Sequence, residues 1–178
     1  MLNILQQVNE IQNAEKYHVD KFSLRGSNKI AKCISVHDGD TFTALVKIER
    51  VCELRCRLIN CDTSEIVGGN ERTKQLGRIA RAALSQKISG KYVLLEFGDF
   101  DAFGRALVTV YELDQQTYER MPNSVNKFMI ESGNAIEYMN GGSHDKKKNE
   151  IDMTMQSMSV LDIIAEYRKI NTTNAGIV

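Results

Sequence analysis

The pattern of apolar and polar residues divides the chain into short strand-like runs and longer helical segments. Alternating or apolar-rich runs between turn residues are typical of β-strands. The predicted strands cover residues 30–37, 42–48, 52–60, 92–97 and 107–113. Alternation in the third run is imperfect, as is common for a strand within a closed sheet. The pattern therefore predicts a mainly β domain with helices, of the α+β class.

Four further segments carry apolar residues at helical spacing. The predicted helices cover residues 2–16, 71–88, 124–131 and 154–170. Lys74, Arg78 and Arg81 recur on the polar side of the second helix. Such a basic stripe is typical of a solvated helix face, and the alternative is an electrostatic guide for a nucleic-acid backbone.

The first predicted helix precedes the β-rich region and defines an N-terminal extension. Its apolar stripe of Leu5, Val8 and Ile11 either docks on the core or contacts a partner or a second copy of the chain. We divide the chain into a helical extension with a linker (1–28), one domain (29–170) and a flexible tail (171–178). Apart from such a contact, we expect a monomer.

Composition adds constraints on partners and location. With 178 residues, 42% of them hydrophobic, the chain is long enough to bury one core. Its 23 basic and 23 acidic side chains balance, so any affinity for a polyanion must come from a local basic patch. The sequence contains no secretory leader pattern and no apolar run of membrane-spanning length. We therefore expect an intracellular, cytoplasmic protein without a membrane contact.

The four cysteines fall in or beside predicted strands. They are Cys33, Cys52, Cys56 and Cys61. Their spacing lacks the two close pairs of a zinc knuckle. In a reducing compartment we expect them to be small buried hydrophobic residues.

Two polar turns carry the candidate chemistry. The first is Asp38-Gly39-Asp40-Thr41, where Asp-Gly is a strong signal for a tight turn between antiparallel strands. The second is Asp62-Thr63-Ser64-Glu65, which follows the third apolar run. Turns of one small sheet can bring Asp40, Asp62 and Glu65 together, and clustered carboxylates require a neutralising cation. Oxygen ligands without histidine favour Ca²⁺ or Mg²⁺ over zinc.

These turns, taken with two arginines, resemble the motifs of a known family. The order is D-G-D-T at 38–41, then Arg57 followed by the turn 62–65, then Phe103-Gly104-Arg105. This pattern is similar to that of the thermonuclease family, the staphylococcal nuclease-like phosphodiesterases, over about residues 30–168. The resemblance implies an OB-fold: a five-stranded barrel with one inserted helix and two C-terminal helices.

The resemblance also implies a function and residue roles. A family member would be a Ca²⁺-dependent nuclease that hydrolyses DNA and RNA with little sequence specificity. Mg²⁺ is less expected, because it demands stricter geometry. By resemblance, the metal site comprises Asp40, Asp62 and the backbone carbonyl of Thr63. Glu65 corresponds to the general base, and Arg57 and Arg105 to the residues that stabilise the phosphoryl transition state.

Some positions depart from the family pattern. Ser64 replaces a proline, so the turn before Glu65 is less stiff. Ala102 and Phe103 replace a lysine and a tyrosine, which removes two phosphate-contacting donors. The candidate substrate-binding residues are Lys74, Arg78, Arg81, Phe103 and Tyr138. The alternative function is a non-catalytic OB-fold module that binds nucleic acid or a protein.

Overall fold

The computed structural model describes residues 3–14 and 21–137. In chain order its elements are α1 (Ile4–Asn13), β1 (Asn28–Val36), β2 (Thr41–Lys47), β3 (Val51–Leu58), β4 (Cys61–Asp62), α2 (Glu71–Ile88), β5 (Tyr92–Phe100), β6 (Ala106–Leu113), β7 (Arg120–Ser124), α3 (Val125–Glu131) and β8 (Ile136–Glu137). The predictions of a helix over 154–170, a flexible tail and a substrate contact at Tyr138 lie outside the described residues.

Five strands close into a barrel, as the resemblance predicts. β1, β2 and β3 form an antiparallel meander, and β5 pairs antiparallel with both β1 and β6. A parallel pairing of β6 with β3 closes the sheet. Alternate side chains of these strands fill the interior, among them the fully buried Phe42, Leu58 and Leu95. The α+β class and the OB-fold are confirmed.

Two helices cover the barrel through short buried stripes. α2 begins at its N-cap Asn70, whose side chain accepts a hydrogen bond from the Thr73 N–H, and it buries Ala80, Leu84 and Ile88. α3 begins at the N-cap Ser124 and buries Val125, Asn126 and Met129. Asn126 is polar and buried, but its side-chain amide makes three hydrogen bonds. Its Oδ1 accepts from the Val110 N–H at 2.9 Å, and its Nδ2 donates to the carbonyls of Ile59 and Val108 at 3.0 and 3.1 Å.

The sequence pattern missed three strands. β4 and β8 have two residues each and pair only with one another, so they are too short for alternation to indicate them. β7 contains Pro122 and lies at the edge of the sheet next to β6, where a missing N–H is tolerated. The predicted count of five strands is therefore correct for the barrel but low for the described residues.

The expectation that the N-terminal helix docks on the core is wrong. α1 is shorter than predicted and has no buried residue, with Ile4 exposed to 77% and Ile11 to 75%. The barrel core is instead closed by α2 and α3, whose Leu84 and Met129 are fully buried. A partner or dimer contact through α1 stays a prediction.

The cysteines match the expectation from composition. Cys33, Cys56 and Cys61 are buried, Cys52 is partly buried, and all four are free thiols. In the part of the chain that the structure describes, no helix combines the length and the apolar character needed to cross a membrane.

Candidate active site

The pocket floor, which we define as Asp40, Arg57 and Asp62, is assembled from three separate segments. Arg57 is on β3, and its register partner on β2 is Thr41, which follows Asp40 directly. The carbonyl of Asp40 accepts a hydrogen bond from the Leu58 N–H at 2.8 Å. Asp62 lies in β4, which β8 holds in place by antiparallel pairing. Strand pairing therefore sets the relative position of all three side chains.

A single guanidinium nitrogen links the two carboxylates of the pocket floor. Nη2 of Arg57 lies 2.8 Å from Oδ2 of Asp40 and 3.0 Å from Oδ1 of Asp62. The same nitrogen lies 3.4 Å from the Cys61 carbonyl. The two carboxylate oxygens are therefore no farther apart than the sum of their distances to Nη2. Both acids are almost fully buried, at 3% and 5% exposure.

The electrostatics of the pocket floor follow from this burial. Burial raises the pKa of Asp40 to about 7, although the nearby charge of Arg57 opposes the shift. Burial acts to lower the pKa of Arg57, but the charges of Asp40 and Asp62 outweigh it, so the pKa of Arg57 is raised. The guanidinium of Arg57 thus carries a positive charge that both buried acids share.

Two glycines allow the loops of the site to approach α2. A Cβ on Gly39 would lie 2.5 Å from the Ala80 Cβ and 2.8 Å from a methyl carbon of Thr63. A Cβ on Gly77 would lie 2.6 Å from the Ser64 carbonyl oxygen. Any larger residue at these positions would displace the segments that carry the candidate metal and base residues.

The rim turn, which we define as residues 101–105, holds the second arginine by local bonds. Oδ1 of Asp101 accepts from the backbone N–H groups of Phe103 and Arg105, at 2.8 and 2.9 Å. Oδ2 accepts from Nε of Arg105 at 2.7 Å. Gly104 has a φ of +75°, the left-handed conformation that glycine adopts without strain.

The rim turn and the pocket floor are joined through one hydroxyl. Nη1 of Arg105 donates to Oγ1 of Thr41 at 3.2 Å, and that hydroxyl donates to Oδ1 of Asp40 at 2.8 Å. Thr41 is fully buried. A continuous polar network therefore connects Arg105, Asp40 and Arg57.

An open pocket of about 360 Å³ brings most of the candidate residues together. Its lining includes Arg57, Asp62, Glu65, Phe103 and Arg105. The buried Asp40 and Thr63 are not part of this lining, and Asp40 belongs to the pocket floor through its ion pair with Arg57. Within residues 3–14 and 21–137, no three histidine, cysteine or acidic side chains are grouped closely enough to hold a metal ion together.

The basic stripe of α2 does not contribute to the pocket lining. Nζ of Lys74 pairs with Glu71 at 2.8 Å, and Nε of Arg81 donates to the Val36 carbonyl at 3.1 Å. Arg78 is exposed. These contacts fit a solvated helix face, and a role in substrate binding stays a prediction.

Sequence reasoning missed several residues that shape the site. Asp101 and Thr41 position Arg105, and Gly77 sets the distance between α2 and the segment of Glu65. Only Asp101 has a local signal, because an acid four residues before an arginine, with glycine between them, is typical of a turn closed by its own side chain. The other two depend on contacts between distant segments.

The barrel and its acidic, arginine-lined pocket define a domain of the OB-fold class. A family model described as staphylococcal nuclease homologue matches residues 55–157, more than half of the chain. The chain belongs to this family, and the resemblance seen in its motifs is confirmed. The matched range includes the stretch from Arg57 to Glu65 and also Arg105, and it begins after the turn that carries Asp40.

A curated relative gives a second comparison. The chain is similar to Protein ParB of Escherichia coli, with 31% identity over 106 residues. The similar region covers 59% of this chain and 55% of that protein, so the chain spans about half the length of the curated relative. Membership of the family supports a nuclease-like domain or a binding module of the same fold.

Proposed function

We propose that the protein is a Ca²⁺-dependent nuclease that hydrolyses phosphodiester bonds in DNA and RNA with little sequence specificity. One observation carries the proposal: two buried carboxylates share one arginine beside an open pocket that is also lined by Glu65 and a second arginine. Phosphodiester hydrolysis needs a cation, a base for the attacking water and donors for the phosphoryl oxygens. The pocket offers a residue for each.

Asp40, Asp62 and the backbone carbonyl of Thr63 would hold the cation. The donor set fits, because hard oxygen ligands suit Ca²⁺ and both carboxylates already share a positively charged partner. When bound, the ion would act as a Lewis acid on the phosphate. Arg57 contacts one oxygen of each carboxylate, so a cation bound at these oxygens would weaken its ion pairs.

Arg57 and Arg105 would bind the phosphoryl oxygens. A planar guanidinium can donate two parallel hydrogen bonds to such a group. Nε and Nη1 of Arg105 are occupied by Asp101 and Thr41, and its Nη2 has no hydrogen bond within the described residues. An arginine fixed on one edge and available on the other is suited to a phosphate, because little freedom is lost on binding.

Glu65 would take the proton from the attacking water. It is exposed, it lines the pocket, and it follows the buried Asp62 by three residues. A carboxylate three residues after a metal ligand in the sequence is suited to contact a water bound to the ion rather than the ion itself. Ser64 leaves the connecting turn more freedom than a proline would, which favours a moderate rather than a maximal rate.

A calcium-titrated cleavage assay on single-stranded DNA and RNA tests the proposal. We expect cleavage that a chelator abolishes, with 3′-phosphate product ends, and Glu65→Gln should lower the rate by about 10²–10⁴-fold. Glu53→Gln, which changes an exposed acid on β3, away from the pocket lining, is the matched control and should leave the rate unchanged. A folded protein with no chelator-sensitive cleavage of either substrate would contradict the proposal.

A second candidate function is a non-catalytic OB-fold module that binds nucleic acid or a protein. It is favoured by the lack, among the described residues, of three side chains grouped for a metal, and by Ala102 and Phe103 at the rim. Salt-dependent binding of an oligonucleotide without hydrolysis, in calcium as in chelator, would support this alternative.

A further inference from the structure

A large aromatic side chain in the pocket lining is almost fully exposed to solvent. Phe103 is exposed to 84%, more than any other aromatic residue that the structure describes, and it belongs to the pocket lining. Exposing an entire phenyl ring to water forgoes the stabilisation that burial would give. Single exposed apolar residues are common on protein surfaces, so its position beside the candidate chemistry is the informative feature.

The backbone holds Phe103 in a defined place. Its N–H donates to Oδ1 of Asp101 at 2.8 Å, and the Gly104 N–H donates to the Asp101 carbonyl at 3.0 Å. The Arg105 guanidinium carbon lies 5.4 Å from the centroid of the ring. The rim turn therefore places the ring and the arginine side by side at the pocket.

We propose that Phe103 is a stacking platform for one unpaired base of a single-stranded nucleic acid whose flanking phosphate is bound by Arg105. The inference rests on the proposed binding of nucleic acid in this pocket, but not on hydrolysis. Such a site would favour single-stranded over duplex nucleic acid, because a base must leave a duplex before an aromatic ring can stack on it.

The chemistry of the rim favours a base over other ligands. Phenylalanine has no donor for a phosphate, and the neighbouring Ala102 has none on its side chain, so the phosphate must be bound by arginine. Stacking on an aromatic ring is possible for every base, which agrees with low sequence preference. A protein partner would need a broader apolar surface, whereas Ala102 and Gly104 beside the ring offer little.

Binding measured in chelator tests the inference without cleavage. We would use fluorescence anisotropy with a labelled single-stranded DNA, and a set of the same oligonucleotide with one abasic site moved along it. The variants are Phe103→Ala and Phe103→Tyr. The matched control is Phe22→Ala, because Phe22 is also exposed, to 70%, but packs near Phe100 rather than lining the pocket.

We expect Phe103→Ala to weaken binding by about tenfold or more, the range measured for loss of one stacked base. Phe103→Tyr and Phe22→Ala should bind as the unmodified protein does. At one position of the abasic site, the unmodified protein should lose a similar amount of affinity. Phe103→Ala should lose no further affinity when the abasic site is at that position. This coincidence of the two losses identifies direct contact, which a general change in the turn would not produce.

Three results would overturn the inference. The first is equal affinity of the unmodified protein and Phe103→Ala, and the second is a loss that no abasic position removes. The third is the lack of any oligonucleotide binding in both chelator and calcium. Failure of the nuclease proposal gives a different result, since a protein that does not cleave but shows the coincident loss retains the stacking site.

Discussion

The pocket floor and the rim turn each use carboxylates to hold an arginine, but they are built in opposite ways. On the pocket floor, Arg57 meets acids from two other segments, and strand pairing sets their distance. In the rim turn, Asp101 and Arg105 are four residues apart and also share backbone hydrogen bonds. The first arrangement depends on the closed barrel, and the second is largely local.

The two acidic environments differ accordingly. Burial raises the pKa of Asp40 to about 7. Burial also acts to raise the pKa of Asp101, but the hydrogen bonds from the backbone and side chain of Arg105 outweigh it and lower the pKa. The carboxylate of Asp101 is therefore held within its own turn, whereas on the pocket floor two buried acids share the guanidinium of Arg57. This contrast favours the proposed division of roles, with cation binding at the floor and substrate orientation at the rim.

The largest effect should come from replacing the arginine of the pocket floor. Arg57→Gln removes the positive charge that bridges two buried carboxylates, so it should lower the free energy of unfolding by about 3–5 kcal/mol at pH 8 in chelator. Arg105→Gln is the matched control and should cost less, about 1–2 kcal/mol, because Asp101 keeps its hydrogen bonds from the backbone N–H groups of residues 103 and 105. Chemical denaturation measures both, and equal losses would contradict the distinction between floor and rim.

The response to calcium is a second test of the difference between Arg57 and Arg105. If Arg57 and a cation compete for Asp40 and Asp62, calcium should raise the melting temperature of Arg57→Gln more than that of the unmodified protein. Arg105→Gln should respond to calcium as the unmodified protein does. A calcium-induced shift that is equal in all three proteins would show that Arg57 does not compete with the ion.

Gly77→Ala should have the next largest effect. Its Cβ would lie 2.6 Å from the Ser64 carbonyl oxygen and 2.9 Å from the Glu65 carbonyl carbon, so α2 or the loop must move. We expect a loss of about 1–3 kcal/mol of unfolding free energy and a lower kcat, because Glu65 shifts. Gln75→Ala, at an exposed position of α2, is the control. Unchanged stability and kcat would show that α2 and the Glu65 segment can accommodate the added methyl group.

Alkaline pH should destabilise the strand below the pocket floor. Burial raises the pKa of Cys56 to about 12, above the ordinary value of 9.0. A thiol with a raised pKa stabilises the fold fully below its unfolded pKa, and the contribution is lost as the pH rises towards the folded pKa. From pH 8 to pH 10.5 we expect a loss of about 1–2 kcal/mol from this group.

Urea denaturation at the two pH values, with Cys56→Ala beside the unmodified protein, isolates this contribution. The difference between pH 8 and pH 10.5 should shrink in Cys56→Ala. Cys52→Ala, at a partly buried position of the same strand, is the control for the loss of a thiol. An unchanged difference in Cys56→Ala would contradict the prediction.

The smallest effect on stability should come from the rim. Asp101→Asn keeps the oxygen that accepts the backbone bonds of the turn but removes the charge that holds Arg105. We expect a cost of about 1 kcal/mol, because the backbone hydrogen bonds of the turn remain. Because the pKa of Asp101 is lowered, its contribution is present above its unfolded pKa and lost as the pH falls. The variant should therefore be less sensitive to acid, and denaturation at pH 7 and pH 3 measures this.

Local pattern was sufficient for most of the elements, whereas the roles of the candidate residues came from the family resemblance and stay predictions. Alternation indicated the barrel strands, helical spacing indicated α2 and α3, and the Asp-Gly turn placed Asp40 between β1 and β2. Arg57 was predicted as a candidate, but its double ion pair was not. The pattern also failed for β4, β7 and β8, which are very short or contain a proline.

What the sequence alone determined is most of the elements, because periodicity, turn chemistry and helix caps act over a few neighbouring residues. What only the tertiary structure decided is how distant segments meet. Asn126 joins carbonyls of β6 and the β3–β4 turn, Gly77 brings α2 onto the Glu65 segment, and Arg57 bridges two acids. The physical reason is that these contacts depend on barrel closure and packing distance, which no stretch of neighbouring residues encodes.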